Sequence, residues 1–267
     1  MRVRAPAVAG SFYPADPAEL RALVVRCLAE AAPAPKGEPL PKALIAPHAG
    51  YVYSGAVAGA AYLGVMKLAG RISRVVLLGP AHRAFLRGLA APRADAFATP
   101  LGAVRIDRAA IDALIDLPQL TVSDAPHAGE HCLEVQLPFL QRILGEFRLV
   151  PLVVGEASDE DVQEVIERLW GGEETLVVVS SDLSHYHDYA AARQIDAASC
   201  RAIEALEPGR LGRDSACGVV PVRGLLCAVR RLGLVARTLD LRNSGDTAGG
   251  RERVVGYGAW SFQASSR

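Results

Sequence analysis

Four short apolar runs organise the chain: Ala43–Ala46, Arg74–Gly79, Leu149–Val154 and Thr175–Ser180. Each has the length of a strand and little polar alternation, the pattern of strands buried on both faces of a helix-covered sheet. Helical spacing lies between or after them, over Gly55–Leu68, Arg108–Ile115, Leu133–Leu144, Asp159–Trp170, Tyr189–Leu206 and Val222–Arg231. An earlier helix is predicted to start at Asp16-Pro17, where a capping carboxylate precedes a first-turn proline, and to run through Leu20, Leu23, Val24, Cys27 and Leu28. Val254–Trp260 and Leu234–Leu241 read as late strands, Leu89–Ala91 and Val104–Ile106 as short hairpin strands. This alternation predicts an α/β, single-domain layered fold with a central, mostly parallel mixed sheet flanked by helices.

Small residues refine the picture. The segment from Gly55 carries Ala56, Ala58, Gly59, Ala60 and Ala61, and each glycine costs about 1 kcal/mol of helix propensity. Such a helix is expected deep against the sheet, where small side chains allow close approach. From Ala43 to Met66 no Asp, Glu, Lys or Arg occurs, yet Pro47, His48, Gly50, two tyrosines and Ser54 lie near its start. It therefore reads as strand, loop and buried helix, not as a membrane span of about 20 apolar residues. Ala7–Pro17 is expected as an extended arm, and Ala32–Pro41, with four prolines, as a loop.

The 267 residues carry 29 Lys+Arg against 29 Asp+Glu, a balance that gives no support to nucleic-acid binding. Cys27, Cys132, Cys200, Cys217 and Cys227 are odd in number, scattered and without a CxxC, which fits a reducing, cytoplasmic location better than a disulfide framework. No P-loop, GxGxxG or GxSxG is present, so nucleotide binding and α/β-hydrolase chemistry have no positive signal.

Histidines supply the candidate chemistry. His48 follows the first strand, His82 the second, and His185 and His187 the fourth. Ligands of α/β sheets bind outside the carboxyl ends of strands, so parallel neighbours would deliver these imidazoles to one edge. Imidazole serves both as a transition-metal ligand and as an acid/base group near neutral pH. Asp182 either orients a ligand or caps the following helix. His127-Ala128-Gly129-Glu130-His131 matches H-x-x-E-H of inverted zinc proteases, but Pro126 and Gly129 argue against a helix through His127. Glu130, His131 and Glu134 are expected in the first turn of the helix through Leu137 and Leu140, lining a pocket wall. Cys217, before Gly218 and a helix start, stands where a thiolate can be favoured.

The ordered set Pro47-His48-Ala49-Gly50-Tyr51, Gly79-Pro80-Ala81-His82, Glu130-His131 with Glu134 and Leu137-Pro138, Ser180-Ser181-Asp182-Leu183-Ser184-His185, and Cys217-Gly218 with Pro221 resembles the Memo family. The opening Val8-Ala9-Gly10-Ser11-Phe12-Tyr13-Pro14 resembles its bacterial and archaeal members, protein B of the AmmeMemoRadiSam system. The likeness runs from about residue 5 to 262 of one domain. It implies a fold similar to LigB-type class III extradiol dioxygenases, whose non-haem Fe(II) sits on two histidines and a carboxylate. Carried over by motif, His48 and His82 match the metal ligands and His185 the acid/base group, with Asp182 beside it. Cys217 falls where those enzymes supply the carboxylate, completing a metal set of His48, His82 and Cys217. His131, Glu134, His187 and Tyr51 are expected to line the substrate pocket. The resemblance thus implies one transition-metal ion, Fe(II) first and Cu or Zn as alternatives, and oxidation of a small substrate, a phenol being one candidate. AmmeMemoRadiSam partner proteins, and no nucleic acid or membrane, complete the expectation. The alternative is a non-catalytic adaptor whose relic pocket binds a peptide or partner protein.

Overall fold

The computed structural model describes residues 1–31 and 39–265. In chain order the first elements are β1 (Val3–Arg4), α1 (Pro17–Ala29), β2 (Ala43–Ala46), α2 (Tyr51–Leu63), β3 (Arg74–Pro80), β4 (Leu89–Ala91), β5 (Ala96–Thr99) and β6 (Gly102–Ile106). There follow α3 (Arg108–Asp112), β7 (Leu120–Val122), α4 (Ala125–Ala128), α5 (Leu137–Leu144), β8 (Arg148–Val154), α6 (Asp159–Arg168) and β9 (Thr175–Ser180). The last are β10 (His185–His187), α7 (Tyr189–Glu204), α8 (Val219–Arg231), β11 (Leu234–Asn243) and β12 (Val254–Ala264).

Among the described residues twelve strands form one sheet, with the central order β8-β3-β9-β2. These are the four apolar runs of the sequence, and they pair parallel to one another. Their side chains are almost wholly buried, as helices on both faces demand. β12 joins β2 antiparallel and carries β11 and β10, which makes the sheet mixed. β6 forms a hairpin with β5, whereas β4 pairs antiparallel with β8 and parallel with β7 rather than in a hairpin of its own.

Local chemistry explains the helix starts. Asp16 accepts from the amides of Ala18 and Glu19 and caps α1 ahead of Pro17. Ser158 and Asp161 form a reciprocal capping box on α6. The small-residue helix does lie against a backbone, and at Gly59 that backbone is α1: a Cβ there would stand 2.3 Å from the Cys27 carbonyl oxygen. Predicted helix 55–68 begins earlier, at Tyr51, and ends as a 3-10 turn over Gly64–Leu68. The loop expected at Ala32–Pro41 lies for the most part outside the described residues. Among the described residues no helix is long and apolar enough to cross a membrane.

Candidate metal centre

Parallel strands β3, β9 and β2 end at one edge of the sheet, and the loops leaving them supply the site. His48 follows β2 and is 2% exposed. Its Nδ1 lies 3.0 Å from Ser180 Oγ at the end of β9. The Ser180 hydroxyl donates to the Cys132 carbonyl at 2.6 Å, so it accepts from His48 Nδ1–H. Gln136 Nε2 also donates to Ser180 Oγ (2.7 Å) and to the Pro47 carbonyl (3.0 Å). That network fixes the tautomer and leaves His48 Nε2 with its lone pair. Nε2 stands 3.2 Å from Cys217 Sγ, whose thiol donates to it.

His82 follows β3. Its backbone N–H donates to Glu130 Oε2 (2.7 Å) and its Nδ1 to Oε1 (2.9 Å). This carboxylate–imidazole contact again leaves Nε2 bare, the orienting device common around metal-bound histidines. Glu130 Oε1 also accepts from the amides of His131 (2.9 Å) and Cys132 (3.1 Å). The His131 ring stacks on His82 (centroids 4.9 Å, planes 22° apart) and stands edge-on to His48 at 5.5 Å. One ligand atom from each of His48, His82 and His131 lies within 4.8 Å of the other two.

Burial sets the charges. It pushes the His48 imidazole down to about 3, with the His82 charge adding, and the His131 imidazole down to about 4. Both are neutral and ready to ligate. Burial works against ionising Glu130, but the His82 hydrogen bond and charge, with the Cys132 and His82 amides, outweigh it and hold the carboxyl at about 2. Burial, then the Asp182 charge, pushes the Cys217 thiol up to about 12. This corrects the expectation of a thiolate at the helix start: desolvation dominates the approach to α8.

The compact group is therefore His48, His82 and His131, with Cys217 attached through His48. His131, expected in the pocket wall, is a candidate donor. Its Nδ1 is 3.3 Å from Glu130 Oε1 but too poorly aligned to bond, and is buried without a partner. Such an orphaned nitrogen, beside two oriented imidazoles and a thiol, fits a cation of the type that N and S ligands select. Metal–sulfur and metal–nitrogen bonds of about 2.3 and 2.0–2.1 Å at a tetrahedral angle place S and N roughly 3.5 Å apart. The observed 3.2 Å needs only a few tenths of an ångström of opening.

Other expected residues stand elsewhere. Asp182 is 4% exposed and accepts from the His48 amide (2.7 Å) and the Ala49 amide (3.3 Å), so it orients the His48 loop. Burial raises its pKa against the pull of those amides. It caps no helix; Asp188 caps α7. His185 lies on β10, half-buried, with Nδ1 2.8 Å from the Leu183 carbonyl and Nε2 left as acceptor. It falls outside the compact trio, although its charge bears on His48 and Asp182. His187 bears on Asp196 rather than on the trio. Tyr51 is buried, its hydroxyl donating to the Val135 carbonyl at 2.6 Å. Glu134 is wholly buried and bound by the N-terminal arm, so it lines no pocket. Glu130 and His131 precede, rather than open, the helical segment, which begins as a 3-10 turn at Glu134. The protease reading fails on geometry: His127 turns away and holds the Ala90 carbonyl through Nε2 (3.0 Å). Ser180 and Gln136 escaped sequence reasoning because neither stands in a pattern that marks it as a histidine partner.

A cleft of about 590 Å³ opens beside the thiol. Cys217, Phe85, Leu86, Val154, Val220 and Arg213 are among its walls. Phe85 is 77% exposed at this surface.

Residues 4–261 match the family described as Memo-like protein. A "MEMO1 family protein" of Aquifex aeolicus is 38% identical over 96% of this chain and 98% of its own. "MEMO1 family protein MK0963" of Methanopyrus kandleri is 38% identical over 97% of this chain and 99% of its own. The crystal structure of uncharacterized protein JW3007 from Escherichia coli K12 superposes with a TM-score of 0.54 at 12% identity, covering 84% of this chain and 99% of that one. That likeness is one of fold, whereas identity above a third over nearly the full length carries kinship. The chain belongs to the Memo-like family.

Proposed function

We propose that this protein is a metal-dependent redox protein that binds one transition-metal ion, iron or copper, between His48, His82, His131 and Cys217 and acts on a small molecule of the phenolic class. One observation carries this reading: the Nδ1–H groups of His48 and His82 are tied to Ser180 and Glu130, which leaves both Nε2 lone pairs for a shared cation. The thiol proton lies between Cys217 Sγ and His48 Nε2, where a cation would replace it. When bound, such an ion supplies Lewis acidity and electron exchange with dioxygen.

The chain's own residues supply the rest. Asp182 and Ser180 hold His48 by its backbone and ring. Glu130 holds His82 likewise, and its ionised carboxylate adds negative charge that favours a cation in the cluster. The cleft beside Cys217 has a volume within the range of small-molecule sites, and its apolar wall suits a flat organic body. His185, with Nδ1–H held by Leu183, presents Nε2 to take up a substrate proton.

The test is anaerobic metal analysis of the purified chain, followed by oxygen uptake over a panel of catechols. About one iron or copper per chain, with metal-dependent oxygen uptake, supports the reading. A chain that takes up neither metal and consumes no oxygen overturns it and favours a binding module.

A further inference from the structure

The N-terminal arm converges on one buried carboxylate, Glu134, which has no exposed surface. Its Oε2 accepts from Arg4 Nη1 and the Ala7 amide, each at 2.7 Å. Its Oε1 accepts from the Val8 amide (3.0 Å) and the Tyr13 hydroxyl (2.5 Å). Arg4 uses its remaining nitrogens on the carbonyls of His127, at 2.7 Å, and of Glu130, the carboxylate residue that orients His82. A buried ion pair of this kind adds little net stability over apolar packing, but a fully satisfied polar network fixes geometry.

The fixed geometry is that of the arm between Val8 and Tyr13. Gly10 turns it with φ of 84°, and the Phe12 amide donates back to the Val8 carbonyl at 2.9 Å. The Phe12 carbonyl in turn accepts from the Tyr51 amide at 2.8 Å. Phe12 is thereby held with its ring centroid 4.8 Å from that of His131. The His131 ring also meets His82, at 4.9 Å, and His48, edge-on at 5.5 Å.

We infer that Glu134 is a positioning residue for the imidazole cluster: it latches the arm so that Phe12 presses His131 against His82. The inference rests on the metal-centre reading above and extends it to the first turn of the chain. The arm is then a wall of the site, and the Glu134 latch sets how far the His131 ring can swing from its neighbours.

The test uses cobalt(II) as the probe on the full-length chain under anaerobic conditions, reading dissociation constant and visible absorption bands. Phe12→Leu keeps an apolar side chain and the latch but removes the ring. It is expected to weaken cobalt binding about tenfold, the low end for groups that orient metal ligands, and to shift the bands. Phe12→Tyr retains the ring and should match the parent protein in both. Glu134→Gln should move both readouts in the same direction as Phe12→Leu; if it fails to fold, the Phe12 pair decides. Lys42→Met is the control for stability alone. Lys42 Nζ donates to the Trp170, Gly172 and Thr175 carbonyls at the opposite end of β2. It should lower the melting temperature and leave the cobalt spectrum unchanged. Parent-like affinity and spectrum in Phe12→Leu would overturn the inference while leaving the metal reading intact. Cobalt binding that survives His48→Ala would instead defeat the metal reading itself.

Discussion

His48 Nε2 and Cys217 Sγ face each other at 3.2 Å, and the proton between them belongs to the thiol. Metal uptake at the proposed centre is therefore expected to release that proton, with affinity rising with pH. Titration with cobalt(II) or iron(II) in weakly buffered solution should show acid release on binding. Cys217→Ser should lower both the proton yield and the affinity, whereas His127→Ala, which alters a ring outside the cluster, should leave both unchanged.

Glu130 gives a second prediction. It accepts from His82 through ring and backbone, and holds the amides of His131 and Cys132. Glu130→Gln removes the charge that orients the ring and stabilises a cation. Metal affinity is expected to fall about 10–100-fold, with His82 still present to bind. Calorimetric titration of the two proteins measures it, and equal affinities would show that the carboxylate serves folding alone.

Acid should destabilise the metal-free protein earlier than its carboxylates alone would predict. Burial holds the His48, His127 and His131 imidazoles at about 3, 4 and 4, against an unfolded value of about 6.5. Each folded value lies below the unfolded one, so the unfolded chain binds the extra protons. The stabilisation is complete above about pH 6.5 and is lost as pH falls toward the folded values. Each imidazole contributes a slope of roughly 1.4 kcal/mol per pH unit in that window. Urea midpoints between about pH 7 and about pH 5 should fall steeply, and His127→Gln should flatten the slope by one imidazole. A flat profile would mean that these rings are not held neutral.

Packing of α2 on α1 gives a fourth. A Cβ on Gly59 would meet the Cys27 carbonyl oxygen at 2.3 Å and its carbon at 2.7 Å, and backbone cannot move aside cheaply. The gain in helix propensity from Gly59→Ala, about 1 kcal/mol, is smaller than the strain of separating two helices, so a net loss of about 1–2 kcal/mol is expected. Gly209→Ala, where an added Cβ meets nothing within 4 Å, should leave the denaturant midpoint almost unchanged.

The legible parts of the fold were those with a one-dimensional signature. The runs at β2, β3, β8 and β9 are buried on both faces and stand out as continuous apolar segments. β1, β7 and β10 span two or three residues, too short for periodicity, and exist through partners distant in sequence. At the site, His48 and His82 were legible because strand exits mark them. The surroundings of His131 and Glu134, which the sequence places in a pocket wall, come from far away in the chain. Arg4, 130 positions from Glu134, gives no local hint that this carboxylate is enclosed.

The separation of 169 positions between Cys217 and His48 has a temporal consequence. A nascent chain holds its early imidazoles long before the sulfur donor leaves the ribosome. The full donor set thus forms only after about four fifths of the polypeptide has been synthesised. Closing so large a loop is entropically costly without the packed sheet beneath it. At the proposed centre, cation capture would therefore be coupled to completion of folding, and a product truncated before Cys217 would lack its sulfur donor.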